Sequence, residues 1–167
     1  TPEAYHQGWA RSGGIVSSNT KYNIPLILKH NGAEQMGGPL FWAHYSYVGL
    51  DPTQLTDQYA NYWDLNVNHT KINYQYCLEN PKRFTGYGPN YWGLTASYSR
   101  NNDGSVGYDA HMPSNDKGVI SPTAAISSIV YTRTESLAAM RNFYENNSAT
   151  MWGPAGFYDA HSQHYGW

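Results

Sequence analysis

Cysteine occurs once, at Cys77, so the chain cannot close a disulfide on itself and offers no thiol pair at metal-ligand spacing. Charge is sparse as well: 13% of the 167 residues are Asp, Glu, Lys or Arg, and the formal net charge is -2. Without a basic field there is nothing to displace counterions from a phosphate backbone, which excludes nucleic acid as a partner. No apolar run approaches the roughly 20 residues that span a bilayer, so insertion of a membrane helix is not expected. A phosphate-binding loop, a Gly-x-Ser-x-Gly elbow and a His-Glu-x-x-His pair are all missing, despite seven histidines. His161 and His164 stand one helical turn apart, which alone does not make a site. Neither a metal nor a cofactor is expected.

What the chain does have is aromatic side chains, 16% of the total, and segments of helical spacing. From Asp51, with Pro52 behind it as a first helical residue, apolar or aromatic positions fall at Leu55, Tyr59, Tyr62, Trp63, Val67, Tyr74 and Cys77 before Asn80-Pro81 stops the run. This predicts one long helix. Thr132 and Glu135 have capping-box spacing and are followed by Leu137, Met140, Phe143 and Tyr144, predicting a second. Shorter helices are expected after Pro122, with Ser121 as cap, over 39–49, and from Thr1-Pro2. No stretch alternates polar and apolar residues for more than a few positions, so no sheet is predicted. The fold class that follows is all-α, in a single segment over 1–167 without linker or internal repeat.

Residues 82–121 are too long for an ordinary connection and too aromatic for a disordered one. Tyr87, Tyr91, Trp92, Tyr98, Tyr108 and His111 sit there among small polar residues, and MWGPAGFYDAHSQHYGW (151–167) repeats the mixture. Loops of this kind fold back as walls of a binding cleft. Sugars suit them: aromatic faces cover the C–H faces of pyranose rings, while Asn, Asp, His and Ser satisfy hydroxyls. The competing reading, that the aromatics fill the core, is about even for any one of them and weaker for the clusters together.

Five segments, GGPLFWAHYSYVGLDP (37–52), NYWDLNVNHTKINYQYCLENP (61–81), GYGPNYWGLTASYS (86–99), GVISPTAAISS (118–128) and WGPAGFYDAHS (152–162), resemble in that order the central and C-terminal blocks of the bacterial glycoamylase-like family. The likeness spans nearly the whole chain and is nearest to endo-β-1,2-glucanases of glycoside hydrolase family 144. That resemblance implies part of an (α/α)6 toroid with long aromatic-rich loops, a periplasmic or secreted bacterial setting, and endo-hydrolysis of linear β-1,2-glucan to sophoro-oligosaccharides with inversion. Members of the family are longer, so a segment incomplete at both ends is expected, with helix faces left unburied if it is produced alone. His161 stands where the family has Phe after its FYDA motif, a change that could alter a sugar contact. VYTRTES (130–136) lacks the commoner proline.

Inversion needs one carboxylic acid and one carboxylate about 6.5–9.5 Å apart. The resemblance implies an acid on a helix before Thr1 and a base beyond Trp167. Within the chain, Asp159 in FYDAH and Asp109 in GYDAH are the catalytic candidates, since each lies beside aromatics in a cleft-forming loop where partial burial would raise its pKa. Glu34 is third, while Asp51, Asp57, Glu135 and Glu145 read as caps or solvated positions. Trp42, His44, Tyr45, Trp92, Thr95 and His111 are the candidates for substrate binding. Two other readings stay open: a relative acting on another glucan linkage or on cyclic β-1,2-glucan, and a non-catalytic carbohydrate-binding protein.

Overall fold

The computed structural model describes residues 1–16, 18–101 and 103–167, with side chains other than those of 9–13 and 30. In chain order the helices are α1 (Pro2–Ala4), α2 (Phe41–His44), α3 (Tyr62–Glu79), α4 (Pro122–Ser127), α5 (Arg133–Glu145) and α6 (Ser148–Met151). Thr1 caps α1 through its side chain, and the chain continues from it as a wider π-helical segment, Tyr5–Gly14. Short 3-10 turns follow α2 at Tyr45–Tyr47 and α4 at Ser128–Val130.

The all-α expectation, and with it the toroid, does not describe this chain. Among the described residues there are three two-stranded antiparallel sheets: β1 (Thr20–Lys21) with β2 (Ile24–Pro25), β3 (Ala96–Arg100) with β4 (Val106–Ala110), and β5 (Trp152–Gly153) with β6 (Gly156–Phe157). The β3–β4 hairpin, in register from Ala96–Ala110 to Arg100–Val106, occupies the centre of the long aromatic segment. Its pattern is hidden because serines point inward: Ser97 and Ser99 are buried while Tyr98 and Arg100 are exposed. Burial alternates with period two, but hydropathy does not. The sequence signal that does mark it is Asp103-Gly104, a turn pair between the two strands.

The long helix begins at Tyr62 rather than near Asp51. Asp51 does cap, accepting from Thr53 N at 2.9 Å, but only for the single turn Pro52–Gln54. Asp57 then gathers the N–H groups of Tyr59 (2.8 Å) and Ala60 (3.0 Å) in a local turn that competes with helix, and Asn61 supplies the true cap by accepting from Asp64 N at 3.1 Å. At the other end Asn80 adopts the left-handed conformation, φ 46°, and its carboxamide brackets Phe84. Helix α5 starts where expected, but the Thr132 hydroxyl donates back to Ser128 O at 3.2 Å, and no capping box forms. Its buried face is Ser136, Ala139 and Phe143; Leu137 and Tyr144 are exposed.

Helix α3 joins two buried clusters. Tyr76 and Cys77 pack with Leu40, Trp92, Leu94, Ile120, Ala125, Phe143 and Met151, while Leu65 and Ile72 pack with Leu26, Leu28, Ala33 and Ala60. Its buried surface also carries Asn66, His69, Thr70 and Asn73. His69 is held by Asn31 Nδ2, which donates to its Nδ1 at 3.0 Å, so its Nε2 donates to Gly38 O at 2.8 Å. Gly37, at φ +97°, lies directly over that ring, where a Cβ would stand 2.7 Å from His69 Cδ2.

Asn73 ties α3 to the irregular segment that leads into the β3–β4 hairpin. Its Oδ1 accepts from Leu94 N at 3.1 Å and its Nδ2 donates to Leu94 O at 3.2 Å, with both residues buried. Leu94 O also accepts from Leu40 N at 2.9 Å. Replacing Asn73 with Ala strands the buried Leu94 N–H without its partner, and the expected loss is roughly 1–3 kcal/mol of unfolding free energy. Chemical denaturation of the full-length protein against the Asn73→Ala variant measures it; an unchanged midpoint would show that the clamp is dispensable.

Candidate carbohydrate cleft

Thr95 follows the clamped Leu94, and its Oγ1 accepts from Phe41 N at 3.1 Å, while its carbonyl accepts from His111 N at 3.3 Å. These bonds join the start of α2 to both strands of the β3–β4 hairpin. On the other side of the same segment, Gly93 O accepts from Ser121 N at 2.9 Å. Gly93, at φ +120°, lies so close to α4 that a Cβ would stand 2.9 Å from Ala125 N and 3.0 Å from Ser121 O. Ser121 in turn directs its hydroxyl to Asp159, donating to Oδ1 at 2.9 Å and also bonding the Asp159 carbonyl. Ser121 is placed as the cap of α4, but its side chain makes no capping bond there.

Between these walls lies an open cleft of about 660 Å³ lined by Phe41, Tyr45, Thr95, Ala96, Tyr108, Asp109, Ala110 and Asp159. Phe41 and Tyr45 meet edge to face at 5.7 Å and form an aromatic ridge. An adjoining hollow of about 390 Å³ shares that ridge and adds Trp42 and Ser46. Tyr45 is 76% exposed and Tyr108 65%, so both offer ring faces to a ligand.

The structure thus brings together Asp109, Asp159, Tyr45 and Thr95, with Trp42 alongside. His44 stands behind them: its Nε2 is 3.1 Å from Ser128 Oγ, and its ring stacks on Tyr131 at 5.9 Å. Trp92 is elsewhere, wholly buried in the core and edge-on to Tyr74. His111 is fully buried with its Nδ1 3.1 Å from Ser97 Oγ. It supports the hairpin rather than lining the cleft. His161 is also internal, 2.7 Å from Tyr91 Oη and 3.1 Å from Thr150 Oγ1, and does not line the cleft. His164 pairs instead with Thr85. Glu34 forms an exposed ion pair with Lys29 and does not line the cleft. Tyr108, one of the aromatics expected to wall a cleft, does line it, whereas Phe41 is a cleft residue that no sequence signal marked beyond its neighbour Trp42.

Asp109 does not have the raised pKa that partial burial would produce. The Lys117 ammonium hydrogen-bonded to it, 2.5 Å from Oδ2, holds the carboxyl below its usual range. Desolvation opposes this, and the N–H groups of Ala110 (2.8 Å) and Asn115 (3.0 Å) on Oδ1 reinforce it. A carboxylate kept ionised at neutral pH can accept a proton or orient water, but it cannot serve as the acid. Asp159 is exposed, with Ser121 as its partner.

An open cleft walled by tyrosines and lined with hydroxyl and carboxylate oxygens has the chemistry of a carbohydrate site. The sequence pattern of the glycoamylase family, described as "Putative glucoamylase", matches residues 1–167, and the chain belongs to that family. It is similar to the crystallised endo-β-1,2-glucanase from Chitinophaga pinensis in complex with sophorotriose and glucose, at 52% identity and a TM-score of 0.87 over 99% of this chain and 39% of that one. A β-1,2-glucanase from Parabacteroides distasonis matches at 40% identity and a TM-score of 0.80, over 99% of this chain and 23% of that one. An exo β-1,2-glucooligosaccharide sophorohydrolase (non-reducing end) of the same organism is 39% identical over 100% of this chain and 24% of its own length. The chain therefore spans about a quarter to two-fifths of these relatives.

Burial also lowers the pKa of His44, to about 4 from an ordinary 6.5, and shifts His111 and His161 in the same direction. Unfolded imidazoles take up protons that the folded ones refuse, so stability is full above about pH 6.5 and falls as the pH drops from there towards 4. Denaturation midpoints of the full-length protein are expected to decline over that window and to decline less steeply in a His44→Gln variant. A pH-independent midpoint, or identical slopes in the two proteins, would refute the assignment.

Proposed function

We propose that the protein carrying this chain is a glycoside hydrolase that cleaves linear β-1,2-glucan internally, releasing sophoro-oligosaccharides with inversion of configuration. The observation that carries this reading is the 52% identity, across nearly the whole chain, with an endo-β-1,2-glucanase crystallised with sophorotriose and glucose. The cleft described above lies in that matched region and supplies what a neutral polyhydroxyl chain needs: exposed aromatic faces, polar side chains at the floor and carboxylates at the wall. The adjoining hollow past the Phe41–Tyr45 ridge leaves room for a polymer to run on.

In this scheme Asp109, ionised by Lys117, is suited to activate water and Asp159 to contact the reacting sugar, while Tyr45, Thr95 and Trp42 position the chain. The proton donor of an inverting pair has to hold its proton near neutral pH, which the ion-paired Asp109 cannot do. That donor is therefore a group other than Asp109. A periplasmic or secreted location fits a polymeric substrate. The sophorohydrolase relative favours a second mode, removal of sophorose from the non-reducing end. Among the described residues no helix is long and apolar enough to cross a membrane.

Product analysis of the full-length protein decides among these. Incubation with linear β-1,2-glucan is expected to yield a ladder of β-1,2-linked oligosaccharides, initially as α-anomers, with nothing released from β-1,3-glucan or starch. Asp109→Asn is expected to lower kcat by about 10²-fold or more, as loss of a general base does. Sophorose alone from the earliest times would establish the exo mode. A folded protein that releases nothing from any of the three would overturn the hydrolase reading.

A further inference from the structure

A second groove of about 530 Å³ shares no residue with the cleft. It lies between the loop Gly86–Tyr91, the end of α5 with the turn after it, and Gln163. Its lining includes five carboxamides, those of Asn90, Asn142, Asn146, Asn147 and Gln163, and no charged side chain. The absence of charge disfavours an anion, a cation or a nucleic acid, and the scarcity of apolar surface disfavours a lipid or an amphipathic helix. Each carboxamide carries two donors and an acceptor, which matches hydroxyl groups that are themselves both donor and acceptor.

Three of the five carboxamides are held by hydrogen bonds. Asn142 Nδ2 donates to Asn90 O at 2.9 Å, Asn146 Nδ2 donates to Asn142 Oδ1 at 3.0 Å, and Asn147 Nδ2 donates to Asn142 O at 3.1 Å. The backbone N–H of Gln163 donates to Tyr91 Oη at 3.0 Å, and Gly86, at φ +97°, leaves space for the Gln163 carboxamide that any Cβ would fill. The side chains of Asn90 and Gln163 are exposed and form no hydrogen bond to the described residues. The groove therefore sets two carboxamides with unspent donors and acceptors, those of Asn90 and Gln163, beside three that are hydrogen-bonded, around a space large enough for a small ligand.

We propose that this groove is a secondary binding site for a neutral oligosaccharide segment, separate from the cleft and able to hold a polymer that the cleft is cutting. The identity of the sugar rests on the functional reading above; the class, a neutral polyhydroxyl chain, rests on the groove itself. The test is affinity electrophoresis of the full-length protein in native gels containing linear β-1,2-glucan, β-1,3-glucan or starch, beside cleavage rates on short β-1,2-linked oligosaccharides. For the double variant Asn90→Ala/Gln163→Ala the retardation in the β-1,2-glucan gel is expected to weaken by roughly tenfold, the worth of two lost hydrogen-bonding groups, while cleavage of short substrates is unchanged. The isosteric pair Asn90→Asp/Gln163→Glu, which keeps shape but adds charge, should behave the same way. Retardation equal to the parent's in both variants would overturn the proposal, and would also be the outcome if another part of the polypeptide covers the groove. Groove-dependent retardation in a different glucan, with no hydrolysis of β-1,2-glucan, would keep this site and sink the functional reading instead.

Discussion

The bidentate hydrogen bond between the Asn73 carboxamide and the backbone of Leu94 is the constraint on which the architecture turns, because it is made in the interior and cannot be exchanged for water. It fastens an irregular segment to the longest helix. Leu94 O then receives Leu40 N, Thr95 Oγ1 receives Phe41 N, and Gly93 O receives Ser121 N, so three segments far apart in sequence are aligned within three consecutive residues. A loop buried in this way must have its polar groups satisfied, and each bond that satisfies them also orients a wall of the cleft.

Polar groups are managed similarly elsewhere. His69 is satisfied on both ring nitrogens, and the buried Asp116 carboxylate accepts from the phenols of Tyr76 (3.0 Å) and Tyr87 (2.8 Å) and from Gly118 N (2.9 Å). With so few charged residues, the chain uses amides, hydroxyls and phenols as its internal connectors. The same groups at the surface give an interior-like chemistry suited to uncharged, hydroxylated ligands, which connects the composition to the proposed substrate class.

Helices are legible where a cap, a proline or a breaker marks an end, as at Thr1-Pro2, Pro122 and Asn80, and Thr132 marks the start of α5 without capping it. The β3–β4 hairpin was not, because its inward residues are Ser97 and Ser99, and the start of α3 was misplaced because Asp57 draws the N–H groups of Tyr59 and Ala60 into a turn. The motifs led to the cleft through Asp109, Asp159, Tyr45 and Thr95. They could not separate Trp92 and His111, which face inward, from true wall residues, since an aromatic in a loop has the same spelling whether it stacks on the core or on a ligand. Nor could they anticipate that Lys117, eight positions along from Asp109, closes on it and reverses the pKa shift that burial alone implies.

The claim that residues of the 37–52, 86–99 and 152–162 segments and of β4 converge on a sugar site is tested most directly by a crystal structure of the full-length Asp159→Asn variant soaked with a short β-1,2-linked gluco-oligosaccharide. Sugar rings are expected against Tyr45 and Tyr108, with hydroxyls within hydrogen-bond reach of Asp109 and Thr95. An oligosaccharide bound with no contact to any of these four residues would contradict it.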